Sequence, residues 1–295
     1  MKQKILMIVN PKAGRAKSKK YIESILINLK NNGHDVELEY TTPKRNATAI
    51  IEEHQLEKEE VIVWGGDGTL NETLVGLEKT NQTAEIAFIP MGTTNDFART
   101  LKVSFDELAV SKNLDTYQVK EIDMGTIDGV PFNYVVSMGL FSKASYKTSR
   151  KWKNRIGKLA YYLNGLKEFF NYKTHFLKVT IGDQVIEDEF IYGSISNSRY
   201  MGGFPVFRKK DIKLDDGEFE VILAKAPKFR LYTFIVVLKI LTGGLNDKHI
   251  QFFKASDIKV EAPNGVDLSI DGEYGGKRKA FHIQNLQKKT KYLVP

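Results

Sequence analysis

Three glycines surround an aspartate in the segment GGDGTLNE, which occupies residues 65–72. Glycines this dense are entropically costly unless the backbone needs a positive φ or a close approach to another group. The preceding segment EVIVW, residues 60–64, has the apolar and β-branched content of a buried strand. Leu70, Leu74 and Leu77 follow at helical spacing. The segment therefore predicts a strand, a glycine turn and a helix, and the N–H groups at such a helix start can bind an anion.

Two further loops offer groups of the same kind. NPKAG, residues 10–14, follows an apolar run, and its lysine or its backbone N–H groups can contact a phosphate. By itself it is an ordinary turn between a strand and a helix. PMGTTNDFAR, residues 90–99, offers threonine hydroxyls, and Asn95 or Asp96 can cap a helix. Together with Asp67, the Asp96 carboxylate would provide oxygen ligands for Mg²⁺ or its waters.

Strand-like and helix-like segments alternate through the first part of the chain. Strands are predicted at 4–10, 35–40, 61–64 and 85–90, and helices at 18–31, 46–57, 70–79 and 95–101. The alternation predicts an N-terminal three-layer α/β domain with a largely parallel sheet. Loops that follow parallel strands lie at one edge of the sheet, so NPKAG, YTT, GGDGT and PMGTTND should meet at one crevice.

A different pattern begins near residue 120. Period-two alternation between turns rich in Gly, Asn and Asp predicts an antiparallel, β-sandwich-like second domain. Two helical inserts are expected in it, at 142–171 and 228–242. The predicted domains are residues 1–122, to which 286–295 return, and residues 123–285.

Composition restricts the chemistry further. The chain has no cysteine, which excludes disulfides, thiol nucleophiles and zinc–thiolate sites. Five histidines without a paired spacing argue against a transition-metal enzyme, and neither GxxxxGK[ST] nor GxGxxG occurs. The net charge of +8 indicates a polyanionic partner, which could be nucleic acid, anionic lipid or a phosphorylated substrate. The longest apolar stretch, 231–241, is too short to span a bilayer, so a soluble or peripheral protein is expected.

Five segments, read together, resemble a known family. NPKAG, GGDGTLNE and PMGTTNDFAR, followed by KLDDGEFEV (213–221) and DLSIDGEYGG (267–276), resemble the lipid kinases that include soluble bacterial diacylglycerol kinases, the eukaryotic diacylglycerol kinase catalytic domain and sphingosine kinases. GGDGT alone is less specific, because NAD kinases and phosphofructokinase relatives carry variants of it. The resemblance implies a kinase that transfers the γ-phosphoryl of ATP, with Mg²⁺, to a lipid hydroxyl. Diacylglycerol is the leading acceptor and phosphatidic acid the product.

The resemblance also implies roles for individual residues. ATP would be bound by Asn10, Pro11, Lys12, Ala13, Gly14, Thr41, Gly66, Asp67, Gly68, Thr69, Leu70, Asn71, Glu72 and Thr93, and Asp96 is added as a carboxylate near Mg²⁺. The family commonly has Ser where this chain has Ala13, so a hydroxyl is missing there. An accessory Mg²⁺ would be bound through Lys213, Asp216 and Glu218, with Lys213 offering its backbone carbonyl. The alternative for this segment is a turn that only opens a strand.

The IDGEY segment, residues 270–274, holds the expected proton acceptor. On a regular strand, Asp271 and Glu273 would project from one face. A turn explains Asp271 and the glycine after it but not Glu273, whereas a kinase needs a carboxylate near the acceptor hydroxyl. Glu273 is therefore the predicted base, and Asp271 shares that role or orients it. Asp123 is a further candidate for the metal–water network.

Seven basic residues and no acidic residue lie between 143 and 158. They would form either a solvated helix face or, over 143–170, a surface that docks on an anionic membrane. The expected partners are a membrane lipid and no nucleic acid, a homodimer is left open, and the expected location is the cytoplasm, at the inner face of the membrane. The alternatives are an NAD kinase-like enzyme and a catalytically silent nucleotide- or lipid-binding regulator. Retention of Asp67, Asp96, Asp271 and Glu273 argues against the silent regulator.

Overall fold

The chain folds into two compact units, residues 1–124 with 286–295, and residues 125–285. The computed structural model describes residues 3–13, 18–56, 59–140, 172–208 and 212–295. Gly14, the insert predicted over 142–171 and the basic segment 143–170 therefore lie outside the described residues. The sequence-based boundary after residue 122 lies close to the observed division between the units.

The first unit is built around four strands that pair in parallel. They are β1 (Lys4–Val9), β2 (Asp35–Tyr40), β3 (Glu60–Gly65) and β4 (Glu85–Pro90). β1 pairs with β2 and β3, and β3 pairs with β4, which gives the order β4-β3-β1-β2. β1 and β3 are almost entirely buried, which explains why they read as continuous apolar runs rather than alternating ones.

Five helices accompany these strands: α1 (Ser18–Asn31), α2 (Ala47–Glu53), α3 (Asp67–Lys79), α4 (Asp96–Leu101) and α5 (Ala109–Asn113). Ile22, Ile25 and Leu29 of α1 share one core with alternate β1 residues such as Met7. Leu6, which points to the opposite face of β1, is equally buried. Both faces of the sheet are therefore covered.

Strands dominate the second unit, and their pairs are antiparallel. β5 (Gln118–Ile127) enters it from the first unit and pairs with β6 (Val130–Phe132). The others are β7 (Val135–Gly139), β8 (His175–Ile181), β9 (Gln184–Ser196), β10 (Tyr200–Met201), β11 (Phe204–Pro205), β12 (Phe219–Lys225), β13 (Ile250–Ala255), β14 (Asp257–Ile270) and β15 (Glu273–Val294). β9 pairs with β7, β8 and β12, and β14 pairs with β7, β8 and β15.

Among the described residues of this unit, one helix interrupts the strands, at the place of the second predicted insert. It is α6 (Arg230–Leu241), between β12 and β13. In the described parts of the chain, no helix combines the length and the apolar character that crossing a bilayer requires.

β15 returns the chain to the first unit, where Lys291–Leu293 pair in parallel with β4. The coarse prediction, a mixed α/β chain with a second β-rich domain, is confirmed. Parallel pairing is found in β1–β4 and at the end of β15, whereas the other described strand pairs of known direction are antiparallel.

Candidate active site

Asn10 lies just after β1 and connects the loops at the carboxyl ends of β1 and β3. Its N–H donates to the Trp64 carbonyl at 2.9 Å, and its side-chain Nδ2 donates to Thr69 Oγ1 at 2.9 Å. Its Oδ1 accepts the N–H of Lys12 at 3.0 Å. Because β2 and β3 flank β1 on opposite sides, this is where the strand order reverses, and such positions are the usual ligand sites of parallel sheets.

Asp67 is almost buried, with an exposed fraction of 8%. Its Oδ2 accepts the N–H of Asp96 at 3.1 Å, and its Oδ1 accepts the N–H of Phe97 at 3.4 Å. Asp67 therefore caps the start of α4 from the first turn of α3. Asn95 occupies the N-cap position of α4, as predicted, but its side chain makes no capping hydrogen bond, because it accepts from the Gly92 N–H and donates to the Gly92 carbonyl instead.

The glycines of this region have different surroundings. A Cβ on Gly66 would lie 3.2 Å from the Gly92 Cα, and a Cβ on Gly65 would lie 2.5 Å from the Thr69 Cβ. These two glycines allow close packing within the chain. Apart from its chain neighbours and the backbone of its own helix, a Cβ on Gly68 would meet nothing within 4 Å among the described residues, and the φ of Gly68 is not positive. Neither backbone strain nor a close internal contact therefore requires a glycine there, and the start of α3 is open to the approach of another group.

Other predicted nucleotide residues differ in accessibility. Pro11, Lys12 and Thr93 are exposed, and Ala13 is partly exposed. Thr41 is 9% exposed, and its N–H donates to the Val9 carbonyl at 2.9 Å. These residues follow β1, β2 and β4, so the loops that the sequence analysis grouped do belong to the same unit.

Three predicted nucleotide residues lie further along α3. Leu70 is fully buried, so only its backbone could face a ligand. Glu72 accepts the Ala47 N–H at 3.2 Å through Oε2, and its carbonyl accepts the Thr48 hydroxyl at 2.7 Å. Glu72 therefore holds α2 against α3, and Asn71 beside it is partly exposed.

In the second unit, Asp271 lies in a two-residue turn between β14 and β15. Its φ is 48° and that of Gly272 is 83°, while Ile270 pairs with Glu273. Positive φ at both central residues is the signature of a type I′ hairpin. The prediction that Asp271 and Glu273 project from one face of a strand is wrong, because they are joined through this turn.

The Asp271 carboxylate is 6% exposed and accepts three backbone N–H groups. The donors are Asn133 at 2.6 Å, Tyr134 at 2.9 Å and Val135 at 3.0 Å. Such bonds stabilise the charged carboxylate, so accepting a proton would weaken them. Glu273 is exposed at the start of β15 and is the better placed of the two carboxylates to meet a substrate.

Asp123 is 1% exposed, and its Oδ1 accepts the Lys288 N–H at 2.8 Å. It therefore holds β5 to β15 within the first unit. Sequence reasoning missed this role because the partner lies far along the chain.

Asp216, predicted to bind an accessory Mg²⁺, already has a cationic partner. Lys254 Nζ lies 2.7 Å from its Oδ2, and the Glu218 N–H donates to its Oδ1 at 3.3 Å. Lys213 is exposed. A Mg²⁺ bound directly by Asp216 would lie beside the Lys254 ammonium, and repulsion between the two cations disfavours such a site.

Glu220, two residues further on, is completely buried in β12 and was missed by the sequence analysis. Lys254 Nζ lies 3.3 Å from its Oε1. Burial raises the pKa of Glu220 to about 8, although the nearby Lys254 acts in the opposite direction. The only signal in the sequence was a charged residue within the apolar run FEVILAK.

Comparison with known proteins identifies the family. Residues 4–127 match the model of the diacylglycerol kinase catalytic domain, and residues 134–283 match the YegS C-terminal NAD kinase beta sandwich-like domain. A diacylglycerol kinase of Staphylococcus epidermidis is 30% identical over 300 residues, covering 100% of this chain and 93% of the relative. The chain belongs to the diacylglycerol kinase family. The predicted resemblance is thereby confirmed, and the chain belongs to a family of enzymes.

Two other diacylglycerol kinase relatives agree with this assignment. One from Bacillus subtilis is 29% identical over 274 residues, covering 92% of this chain and 89% of the relative. A solved structure of a Bacillus anthracis protein assigned as a diacylglycerol kinase aligns with a TM-score of 0.84 at 30% identity, covering 99% of this chain and 97% of that chain.

Proposed function

We propose that the protein is an ATP- and Mg²⁺-dependent lipid kinase that transfers the γ-phosphoryl group of ATP to the free hydroxyl of diacylglycerol, giving phosphatidic acid. The observation that carries the proposal is the open space around Gly68 at the start of α3. Apart from its chain neighbours and the backbone of its own helix, Gly68 has no described residue near its Cβ position, as a backbone that faces a phosphate requires. Family membership gives this anion site its nucleotide interpretation.

The residues after β1, β3 and β4 fit an ATP site. The N–H groups at the start of α3 would face the phosphates. Lys12, which is exposed in the loop after β1, would add a positive charge. Mg²⁺ would be held near the Asp67 and Asp96 carboxylates, through its waters. When bound, ATP and Mg²⁺ supply the phosphoryl donor and neutralise its charge. The proposal includes a three-layer α/β arrangement for the first unit and a β-sandwich-like arrangement for the second unit.

Glu273 has the role of proton acceptor. The lipid hydroxyl oxygen forms a bond to the γ-phosphorus, the bond from that phosphorus to the bridging oxygen breaks, and ADP leaves. Glu273 takes the hydroxyl proton, which a carboxylate within hydrogen-bond reach can do as the new bond forms. Asp271 does not compete for this proton, because its carboxylate holds three backbone N–H groups.

Membrane association, including docking through 143–170, is also part of the proposal. Within the described residues, Phe229 is 80% exposed and follows the exposed Lys228. Phe234 and Leu238 of α6 are 44% exposed. Apolar side chains beside a cation are typical of surfaces that lie on anionic bilayers. A location at the inner face of the membrane, the absence of a nucleic-acid partner and a homodimer remain predictions.

An NAD kinase-like activity is the second candidate, because the model that matches the second domain is described as NAD kinase beta sandwich-like. The two functions are separated by incubating the protein with labelled ATP and Mg²⁺. One sample contains NAD, and the others contain diacylglycerol in anionic or in neutral vesicles. We expect label in phosphatidic acid and more of it with anionic vesicles. Label in NAD alone would reject the lipid kinase.

The Glu273→Gln variant tests the proposed base. We expect its phosphoryl transfer to fall roughly 10²–10⁴-fold, the usual contribution of a general base. Because the side chain is exposed, its unfolding midpoint should match that of the unaltered protein. Glu261→Gln is the matched control, since Glu261 is also exposed and lies on the same hairpin, opposite Ala280. Full activity in Glu273→Gln would assign the proton transfer elsewhere.

A further inference from the structure

We propose that Lys254 is a built-in cation that replaces the accessory Mg²⁺ implied by the family resemblance. In this chain the Asp216 loop would be held by an ammonium group of the protein and would not need a metal. This inference is independent of the proposed function, because it concerns how the second unit is held together.

The position of Lys254 is set by strand register. Glu220 on β12 and Lys254 on β13 are directly opposed in the antiparallel ladder. From this position, Lys254 Nζ reaches Glu220 Oε1 at 3.3 Å and Asp216 Oδ2 at 2.7 Å. The Lys254 side chain is 29% exposed, so the ammonium lies mostly within the protein. The register therefore places the Lys254 ammonium group beside the carboxyl groups of both Asp216 and Glu220.

The carboxylates need such a charge. Glu220 is completely buried, and the charged form of a buried carboxyl group is strongly unfavourable unless a cation such as Lys254 lies beside it. An ammonium group has three N–H donors and can serve two carboxylates at once. Lys254 thus supplies the neutralising charge that a bound metal would otherwise supply.

Mg²⁺ and Lys254 compete for Asp216. Mg²⁺ binds oxygen ligands at about 2.0–2.1 Å in near-octahedral geometry. Oδ2 of Asp216 already accepts from Lys254, and Oδ1 accepts from the Glu218 N–H. A metal bound to either oxygen would also be repelled by the neighbouring ammonium. Removing the ammonium, in contrast, would leave the Asp216 carboxylate free to bind a divalent cation.

The Lys254→Met variant tests this inference, because it removes the charge but keeps most of the aliphatic stem. Nucleotide-free full-length protein is used, so that no metal enters with ATP. Melting temperatures are compared in MgCl₂ and in NaCl of equal ionic strength, and Mn²⁺ binding is followed by electron paramagnetic resonance. We expect Lys254→Met to melt about 5 °C lower without metal, to recover with Mg²⁺, and to bind Mn²⁺ roughly tenfold or more tightly than the unaltered protein.

Two other variants make the result specific. Lys225→Met removes a lysine from β12 that pairs with Asp188 at 2.5 Å, so it should lower the melting temperature without creating a Mg²⁺ response. Asp216→Asn should leave any Mn²⁺ binding of the unaltered protein unchanged. Loss of Mn²⁺ binding in Asp216→Asn would overturn the inference, and so would a folded Lys254→Met that does not respond to metal. If Lys254→Met does not fold, the Mn²⁺ binding of Asp216→Asn is compared with that of the unaltered protein. This comparison then decides whether Asp216 binds a metal in the unaltered protein.

Discussion

Gly68, in the first turn of α3, and Gly92, in the loop after β4, have opposite surroundings. A Cβ on Gly92 would lie 2.5 Å from Asn95 Oδ1 and 2.8 Å from the Gly66 Cα. Apart from its chain neighbours and the backbone of its own helix, a Cβ on Gly68 would meet nothing within 4 Å among the described residues. Gly92 is therefore required by the protein's own packing, whereas no internal contact requires a glycine at position 68.

Alanine substitutions at these two positions should separate stability from nucleotide binding. Gly68→Ala removes a glycine from a helix and should raise the free energy of unfolding by roughly 0.5–1 kcal/mol. The added methyl group should also weaken ATP binding. Gly92→Ala should lower the free energy of unfolding by about 1–3 kcal/mol, because the overlap must be relieved by backbone shifts. Urea unfolding and titration with a fluorescent ATP analogue measure the two effects. Unchanged ATP affinity in Gly68→Ala would remove the main support for the proposed nucleotide site.

At the residue scale, the sequence predicts which segment is special but not what each residue does. The density of glycines around Asp67 indicated an anion-binding turn, and the structure is compatible with that role for Gly68. The sequence does not show that Gly66 packs against Gly92 or that Asp67 caps α4, because each contact joins two loops separated by more than one element. Such assignments depend on tertiary contacts, which local patterns do not contain.

The β14–β15 hairpin shows the same limit at the scale of an element. Asp-Gly is a strong turn signal, and a turn explains Asp271 and the glycine that follows it. The alternation of side chains along a strand predicts that Asp271 and Glu273 project from one face. This prediction is wrong, because the alternation holds only within an uninterrupted strand. The turn places Asp271 against the backbone N–H groups of residues 133–135 and leaves Glu273 exposed.

Asp271→Asn should destabilise the hairpin without removing the turn, since asparagine tolerates the positive φ that Asp271 has. The amide has only one acceptor oxygen, so one of the three N–H donors would face an NH₂ group. We expect the free energy of unfolding to fall by about 1.5–3 kcal/mol, the usual range for hydrogen bonds to a charged group. Urea unfolding beside Glu273→Gln provides the comparison. Equal stability of Asp271→Asn and the unaltered protein would contradict the structural role of this carboxylate.

For the whole molecule, the change of pattern near residue 120 predicts a mixed α/β chain with a second, β-rich part, and this coarse fold class is confirmed. This was possible because β–α alternation and period-two alternation are local signals. The strands that cross between the units were less predictable. β5 belongs to both units, and β15 runs from the hairpin turn to the end of the first-unit sheet. Their length reflects pairing with partners in each unit.

The pH dependence of stability should carry a signature of Glu60. This residue is 6% exposed at the start of β3 and pairs in register with Glu85 of β4. Burial, followed by the nearby Glu85, raises the pKa of Glu60 from its ordinary 4.5 to about 7. A raised carboxyl pKa means that the folded state holds the proton more strongly. Its contribution to stability is therefore complete below about pH 4.5 and is lost as the pH rises through about 7.

Glu60→Gln should remove this loss of stability, because glutamine stays neutral. Relative to the unaltered protein, its free energy of unfolding should increase between about pH 5 and pH 8 by about 1–3 kcal/mol. Urea unfolding at intervals of pH measures the difference. A difference that stays constant over this range would show that Glu60 does not titrate as proposed.

The hydrogen bonds of Asp67 and Asp271 change how an inactive member of this family would be recognised. Each carboxylate holds backbone of a second segment, so a relative that had lost phosphoryl transfer would still be stabilised by both aspartates. Their presence therefore does not separate an enzyme from a binding protein descended from one. Gly68 and Glu273 have no comparable duty among the described contacts. Substitutions at these two positions are the ones that would identify a pseudokinase by its sequence.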